Sequence, residues 1–127
     1  MNVDDLQIKL SIALNPNSPL KKLIELSEDE NVYIRRNVAL NRNLSPEILM
    51  KLSEDENIYV RKDVAFNPNT PKKTLIKLSE DGDANVRRRV SRNLNVPLEA
   101  LIKLSEDENV DIKEFVINQL YKHHLTP

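Results

Sequence analysis

Leu26-Ser27-Glu28-Asp29 is the stretch of sequence that decides the fold, because it returns three times at a constant interval. Its later copies are Leu52-Ser53-Glu54-Asp55, Leu78-Ser79-Glu80-Asp81 and Leu104-Ser105-Glu106-Asp107. Other positions keep the same interval, such as the asparagines Asn15, Asn41, Asn67 and Asn93 and the valines Val38, Val64, Val90 and Val116. A fixed period of about 20 to 50 residues is typical of a protein built from stacked structural units.

The 127 residues are therefore divided as one domain made of repeated units. We expect a half unit over 1–14, repeats over 15–40, 41–66, 67–92 and 93–118, and a C-terminal cap and tail over 119–127. The single glycine argues against β-sandwiches and barrels, whose tight turns need positive φ angles. The sequence predicts an all-α solenoid of about four two-helix repeats with half-repeat caps and no β-strands.

The first helix of each unit is predicted to begin at a hydroxyl–proline pair. Ser18-Pro19, Ser45-Pro46 and Thr70-Pro71 would place a hydroxyl N-cap before a proline at the first helical position. Because Pro46 is displaced by one residue from the constant interval, that helix is expected to start later. Val96-Pro97 lacks the hydroxyl, which leaves the fourth helix start less well defined.

The second helix of each unit follows the acidic turn. In the first unit it is predicted over 32–40, capped by Asp29 or Asn31, with Ile34 and Val38 facing inward. Asn41 falls where this helix must end, and asparagine tolerates the left-handed conformation that closes many helices. Helices of about nine residues are marginal alone, so each unit must gain stability from its neighbours.

The repeat resembles a known family. The run Asn15-Pro16-Asn17-Ser18-Pro19, followed by Leu23, Leu26, Asp29, Ile34-Arg35 and Val38-Ala39-Leu40-Asn41, resembles the leucine-rich repeat variant family. This resemblance covers 5–116 and implies a right-handed superhelix without strands. The chain is also similar to HEAT repeats, in the Asp that lies five residues before a Val-Arg or Ile-Arg pair. Both resemblances imply a helical scaffold.

Aspartate and a basic residue recur together in every unit. Asp29, Asp55, Asp81 and Asp107 are each followed six residues later by a base, namely Arg35, Arg61, Arg87 and Lys113. If each base reaches the acid of its own or the next unit, a ladder of ion pairs would fix the stacking register. We expect this structural role rather than a functional one for these positions.

Composition and motifs exclude most chemistry. The chain has no cysteine, so disulfides, thiolate metal sites and cysteine nucleophiles are ruled out. The acidic segment Asp81-Gly82-Asp83 resembles the opening of a calcium loop, but the twelfth position is Arg92 instead of glutamate. His123 and His124 are adjacent, so a helix points them about 100° apart and they cannot chelate as a pair. We expect no catalytic residue, no metal and no cofactor, and hence no enzyme.

The charge balance bears on location and partners. Nineteen basic and twenty acidic residues leave a net charge of -1, which argues against a generally basic nucleic-acid binder or a membrane-surface protein. The start lacks a signal-peptide pattern and no window approaches the length of a membrane span. The sequence thus predicts a cytoplasmic protein, monomeric and without a membrane partner.

Positions that differ between the units are free for recognition. On the second helix these are 33, 36, 37 and 40 and their equivalents in the later units, which lie along one helical face. We call this face the second-helix stripe. Its candidate partner-binding residues are Tyr33, Arg36, Leu40, Tyr59, Lys62, Phe66, Arg88, Arg89 and Arg92.

The chemistry of the stripe predicts a protein or peptide partner. Tyrosine and arginine are enriched in binding hot spots. The alternative is nucleic-acid binding through the arginine cluster of the third repeat. The stripe changes from aromatic to basic to acidic along the units, whereas a phosphate-binding groove needs positive charge in every layer. A plain solvated face is the third interpretation, in which Leu40 and Phe66 belong to the core.

Overall fold

The computed structural model describes residues 2–123, and within that range the chain is all α-helical without a strand. The nine helices of this range are α1 (Val3–Leu14), α2 (Leu20–Leu26), α3 (Val32–Ala39), α4 (Pro46–Leu52), α5 (Ile58–Phe66), α6 (Lys72–Leu78), α7 (Ala84–Arg92), α8 (Leu98–Leu104) and α9 (Val110–Lys122). None of them combines the length and apolar character needed to cross a membrane. His124 and the rest of the predicted polar tail lie outside the described residues.

The first helices of the four sequence units, α2, α4, α6 and α8, all start at the same register position. The expectation that the helix at Pro46 starts late is wrong. Pro46 occupies the register position of Leu20 and is the first residue of α4, with Ser45 as its N-cap. Pro19 and Pro71, by contrast, are themselves the N-caps of α2 and α6.

The hydroxyl caps predicted at Ser18 and Thr70 are also wrong. The Ser18 hydroxyl donates to the carbonyl of Ile12 at 2.6 Å, and the Thr70 hydroxyl donates to that of Val64 at 2.5 Å. Each hydroxyl therefore ties the turn back to the end of the preceding second helix. Ser18 and Thr70 lie two positions before the first helical residue, one position further back than the capping Ser45, so they are too far from the free N–H groups of the helix. The helix behind them offers unpaired carbonyls instead.

The second helices α3, α5, α7 and α9 also share one starting position in the register, and each has a polar N-cap. Asn31 caps α3 by accepting from the Tyr33 N–H at 2.8 Å. Asp83 replaces asparagine at this position and accepts from two N–H groups of α7. The predicted range 32–40 for the first of these helices exceeds the observed α3 by one residue.

The core lies between the first and second helices. Leu23 and Leu26 of α2 and Ile34 and Val38 of α3 are buried, and their equivalents in the later units are buried as well, apart from a half-exposed Leu101. The helices α1, α3, α5, α7 and α9 form one row in which each contacts the next. Burial is therefore continuous from one unit to the next, since no unit encloses its apolar residues alone.

A buried asparagine is the first residue of each unit from 41–66 onward, and it joins that unit to the two before it. The Asn41 Nδ2 donates to the carbonyls of Ala13 and Asn15 at 2.8 and 2.9 Å. Its Oδ1 accepts from the Asn43 N–H at 2.8 Å, which holds the following turn. Asn67 and Asn93 repeat both contacts on the units before them. We call this series the asparagine ladder.

The prediction that these asparagines end the second helices in a left-handed conformation is wrong. They form the asparagine ladder instead. Asn15 and Asn67 have φ values of -72° and -64° with extended ψ, so they are not in the left-handed region. The carbonyls at the end of each second helix have no partner within their own helix. The asparagine that follows the next second helix supplies that partner from its side chain.

We predict that Asn67→Ala destabilises the protein by about 3 to 5 kcal/mol, because it leaves buried carbonyls of Ala39 and Asn41 without donors. Asn67→Asp should be at least as harmful, since a carboxylate cannot donate. Chemical denaturation followed by circular dichroism measures both. Asn69→Ala is the matched control, because the Asn69 amide donates on the exposed surface and its loss should cost under about 1 kcal/mol. Equal losses for Asn67→Ala and Asn69→Ala would contradict a structural role for the ladder.

Aspartate and arginine form a second connection between units. Arg35 binds Asp55 through both Nε and Nη2, at 2.9 and 3.3 Å. Its Nη1 donates to the Asp29 carbonyl in its own unit at 2.9 Å. Equivalent pairs join Arg61 to Asp81, Arg87 to Asp107 and Lys9 to Asp29. The predicted ladder exists for Arg35, Arg61 and Arg87, each of which reaches the acid of the next unit. Lys113, the fourth predicted base, forms no ion pair with residues 2–123.

A more exposed set of ion pairs runs parallel to this ion-pair ladder along the first helices. Lys51, Lys77 and Lys103 contact Glu28, Glu54 and Glu80 of the preceding unit at 2.9, 2.5 and 2.7 Å. These glutamates are about two-thirds exposed, whereas the aspartates of the ladder are nearly buried. Solvent screening leaves such exposed pairs little effect on stability.

We predict that Asp55→Ala lowers the free energy of unfolding by about 2 to 4 kcal/mol, since it leaves the half-buried Arg35 guanidinium without its carboxylate. The neighbouring Glu54→Ala should cost under about 1 kcal/mol, because its pair with Lys77 is exposed. Urea unfolding of the two variants side by side tests this. Losses under about half a kcal/mol for both would make the aspartate an ordinary surface residue.

The last pair of the ladder predicts a pH dependence. Burial raises the pKa of Asp107, but hydrogen bonds from Arg87 and the Asn109 N–H outweigh it and hold the pKa below the usual 3.8. A depressed pKa in the folded state stabilises the protein above the unfolded value, and this contribution is lost as the pH falls below 3.8. Asp107→Asn should therefore flatten the loss of stability below about pH 4, while the exposed Glu106→Gln should not. An unchanged acid slope in thermal melts of Asp107→Asn would refute this linkage.

Candidate binding face

The second-helix stripe is not uniformly exposed. Tyr33, Tyr59 and Phe66 are 63%, 54% and 51% exposed, so these rings lie largely at the surface. Leu40 is half-buried and Asp63 is buried. The position that holds Asp63 faces the neighbouring helix, because Asn37 at the same register donates to the Leu10 carbonyl at 3.1 Å. Some positions of the stripe therefore contact the neighbouring second helix, and the others are exposed to solvent.

One group of predicted residues assembles around Tyr59. The Arg36 guanidinium lies 5.1 Å and the Lys62 ammonium 5.4 Å from the centre of the Tyr59 ring. Arg36 also pairs with Asp63 at 2.8 Å, and this hydrogen bond raises the pKa of Arg36 above its usual value. Tyr33 lies exposed one turn before Arg36. Arg36 is thus held in place by the next unit, with Tyr59 presented beside it.

A second group assembles around Phe66. The Arg89 guanidinium lies 5.0 Å from the centre of the Phe66 ring, and that of Arg92 lies 4.2 Å from the ring of Phe115. Both are cation–π contacts that connect neighbouring units. Arg88 lies apart from these two arginines and donates to Asn85 within α7 at 2.6 Å. The nine predicted residues therefore divide into a Tyr59 group, a Phe66 group, and Leu40 and Arg88, which join neither.

A cleft opens beside the Phe66 group. It measures about 380 Å³ and its basic lining is Arg42, Arg89 and Arg92. Its apolar lining is Phe66, Pro68 and Leu94, and Leu94 is 99% exposed. We call it the arginine cleft. A second cleft lies on the other side of Arg92 and Leu94 and includes Phe115.

Sequence reasoning missed Arg42 and Leu94. Both lie in the turn that follows a second helix, at the register position of Pro16 and Pro68. This position differs between the units as much as the stripe does, with proline, arginine, proline and leucine in order. The variation that marks these two residues is therefore visible in the sequence, but it lies in the turn and not on the second helix.

The first helices also expose apolar side chains. Ile24, Met50 and Ile102 occupy one register position and are 41% to 44% exposed. Pairs of lysine and glutamate flank this apolar column, and each pair neutralises its own charges between two units. The same kind of residue recurs in every unit there, which is typical of a shared structural position and distinguishes it from the variable stripe.

The chain has no significant match to any protein-family model, curated protein or solved structure. The likeness to the leucine-rich repeat variant family therefore stays a prediction based on the residues of the repeat.

Proposed function

We propose that this protein is a non-enzymatic helical-repeat scaffold that binds a protein or peptide across the second-helix stripe. The proposal includes a right-handed α-solenoid of about four repeats, as the resemblance to the leucine-rich repeat variant family implies. The row of second helices and the asparagine ladder support this arrangement, since both repeat from unit to unit.

The observation that carries the proposal is the pairing of exposed aromatic rings with cations along one face. Tyr59 and Phe66 are about half exposed, yet Arg36 and Arg89 hold each ring in a fixed position. Rigid aromatic and arginine side chains bind partners at a low entropic cost. A plain solvated face would not require aromatic rings at these positions, because polar residues fill such surfaces more readily.

The non-enzymatic part of the proposal rests on composition. The chain has no cysteine, and its two histidines are adjacent at 123 and 124. The repeated serines, such as Ser27, bury their hydroxyls in hydrogen bonds to a carbonyl of their own helix. A hydroxyl that donates its proton to a backbone carbonyl is not directed at a general base. The Lys51 Nζ, which lies 3.5 Å from the Ser27 Oγ, donates to that oxygen and is paired with Glu28.

Nucleic-acid binding remains the rival, because Arg88, Arg89 and Arg92 lie on one helix and Arg42 lies close by. The charge of the fourth unit argues against this rival. There the stripe holds the exposed acids Asp111 and Glu114, which would repel a phosphate chain that continues along the row. Positive charge is confined to little more than one unit.

The test is affinity capture from nuclease-treated and untreated lysate, with quantitative mass spectrometry, using wild type and the Arg88→Glu/Arg89→Glu variant. We expect the double variant to fold and to weaken its partner by about 2 kcal/mol or more, as hot-spot changes do. The matched control is Lys72→Glu/Lys73→Glu, which makes the same charge change at exposed positions of α6.

The outcomes separate the two functions. A nuclease-insensitive partner that is lost only with the α7 variant supports the scaffold. Recovery that disappears after nuclease treatment supports nucleic-acid binding, and a salt series with an oligonucleotide should then show a slope near -0.9 per phosphate contact. If both variants keep every partner, the stripe is not the binding site.

A further inference from the structure

We propose that the arginine cleft is the anchor point of the binding face and that it takes a short acidic segment of a partner protein, in which Asp or Glu residues flank a bulky apolar side chain. This inference rests on the proposed scaffold function and specifies the chemistry of its partner.

The charge of the cleft supports an acidic ligand. Among residues 2–123, Arg35, Arg36, Arg61 and Arg87 each bind a carboxylate, whereas Arg42, Arg88, Arg89 and Arg92 have none within 4.0 Å. Three of these four unpaired arginines line the one cleft. Guanidinium groups bind carboxylates in a planar, bidentate geometry, as Arg35 already does with Asp55. The cleft therefore concentrates unused carboxylate-binding groups.

The arginines are also held ready to bind. Arg89 stacks on Phe66 and Arg92 stacks on Phe115, so ring contacts orient both guanidinium groups without using their full donor capacity. Restricting the side chains before binding reduces the entropy that a ligand must overcome. A stacked arginine still offers its N–H edge to a carboxylate in the plane of the guanidinium.

The apolar lining supports a bulky side chain between the acidic groups. Leu94 is 99% exposed although it directly follows Asn93, whose side chain is fixed in the asparagine ladder. Its backbone is thus held in position while its side chain remains in water beside the half-exposed Phe66. A volume of about 380 Å³ lies at the small end of ligand pockets, which suits one or two anchor side chains of a peptide.

The surroundings favour a peptide over a nucleic acid. The acids Asp111 and Glu114 are exposed on α9, one unit beyond the cleft. A short segment can place its carboxylates on Arg42, Arg89 and Arg92 and end before these acids. A nucleic-acid strand would carry its phosphates past them, against like charge.

The experiment is fluorescence anisotropy with a fluorescein-labelled peptide in which glutamates flank a leucine–phenylalanine pair. The comparison peptide has glutamine in place of each glutamate, and a single-stranded oligonucleotide is the third probe. We expect the acidic peptide to bind wild type more tightly than both, and to bind more weakly as salt is raised. Tighter binding of the oligonucleotide, or equal binding of the glutamine peptide, would overturn the proposal.

Three variants locate the site. Arg92→Glu and Leu94→Ala should each weaken the acidic peptide by about tenfold or more, as loss of an anchor residue does. Lys72→Glu is the matched control, because it makes a comparable charge change at an exposed residue of α6 that does not line the cleft, and it should change affinity by less than about threefold. Leu94→Ala keeps the test valid if Arg92→Glu perturbs the contact with Phe115, since an almost fully exposed side chain contributes little to folding.

A failure here is distinguishable from a failure of the scaffold function. If the acidic peptide does not bind, or if Lys72→Glu weakens it as much as Arg92→Glu, the cleft proposal is wrong. Captured partners that are still lost with the Arg88→Glu/Arg89→Glu variant would then leave the scaffold function standing, with a partner of different chemistry.

Discussion

The end of a second helix leaves carbonyl groups that its own backbone cannot satisfy, and the asparagine that follows the next second helix satisfies them. Asn41, Asn67 and Asn93 are nearly or fully buried, and each uses one amide group to connect its own unit with the two before it. The Nδ2 donates to one carbonyl in each of the two preceding units, while the Oδ1 orders the turn of its own unit. A short, marginal helix is therefore completed only when the next unit is in place, which makes folding of the units mutually dependent.

Ion pairs between arginine and aspartate also join the units, always from one unit to the next along the chain. Each arginine of the ion-pair ladder donates both to a backbone carbonyl in its own unit and to an aspartate in the next, so it spans the junction between units. The same residue type has another use in the third unit, where Arg89 and Arg92 contact aromatic rings and no carboxylate of residues 2–123. The structural and the proposed binding arginines are thus distinguished by their partners, although their side chains are identical.

Much of the fold could be predicted from the sequence because one constant interval recurs at many positions. The two helices per unit and the aspartate–arginine pairs follow from local spacing. The sequence could not show which distant residues each side chain would contact in the folded protein. Asn41 looked like a local helix end, since its partners Ala13 and Asn15 lie far back in the chain and come close only once the units pack. Arg42 and Leu94 were missed for a related reason, because a cleft between two turns belongs to neither turn alone.

The ion-pair ladder also bears on how the length of such a chain can change. Neighbouring units are joined by an arginine of one unit and an aspartate of the next. A duplicated segment of one whole unit would therefore form an ion pair with the unit before it and another with the unit after it. An insertion of any other length would misplace the asparagine, the aspartate and the arginine together. Gene duplication in steps of whole units is therefore the route of growth that this chemistry permits, and the positions most free to diverge afterwards are those whose side chains bind no other unit.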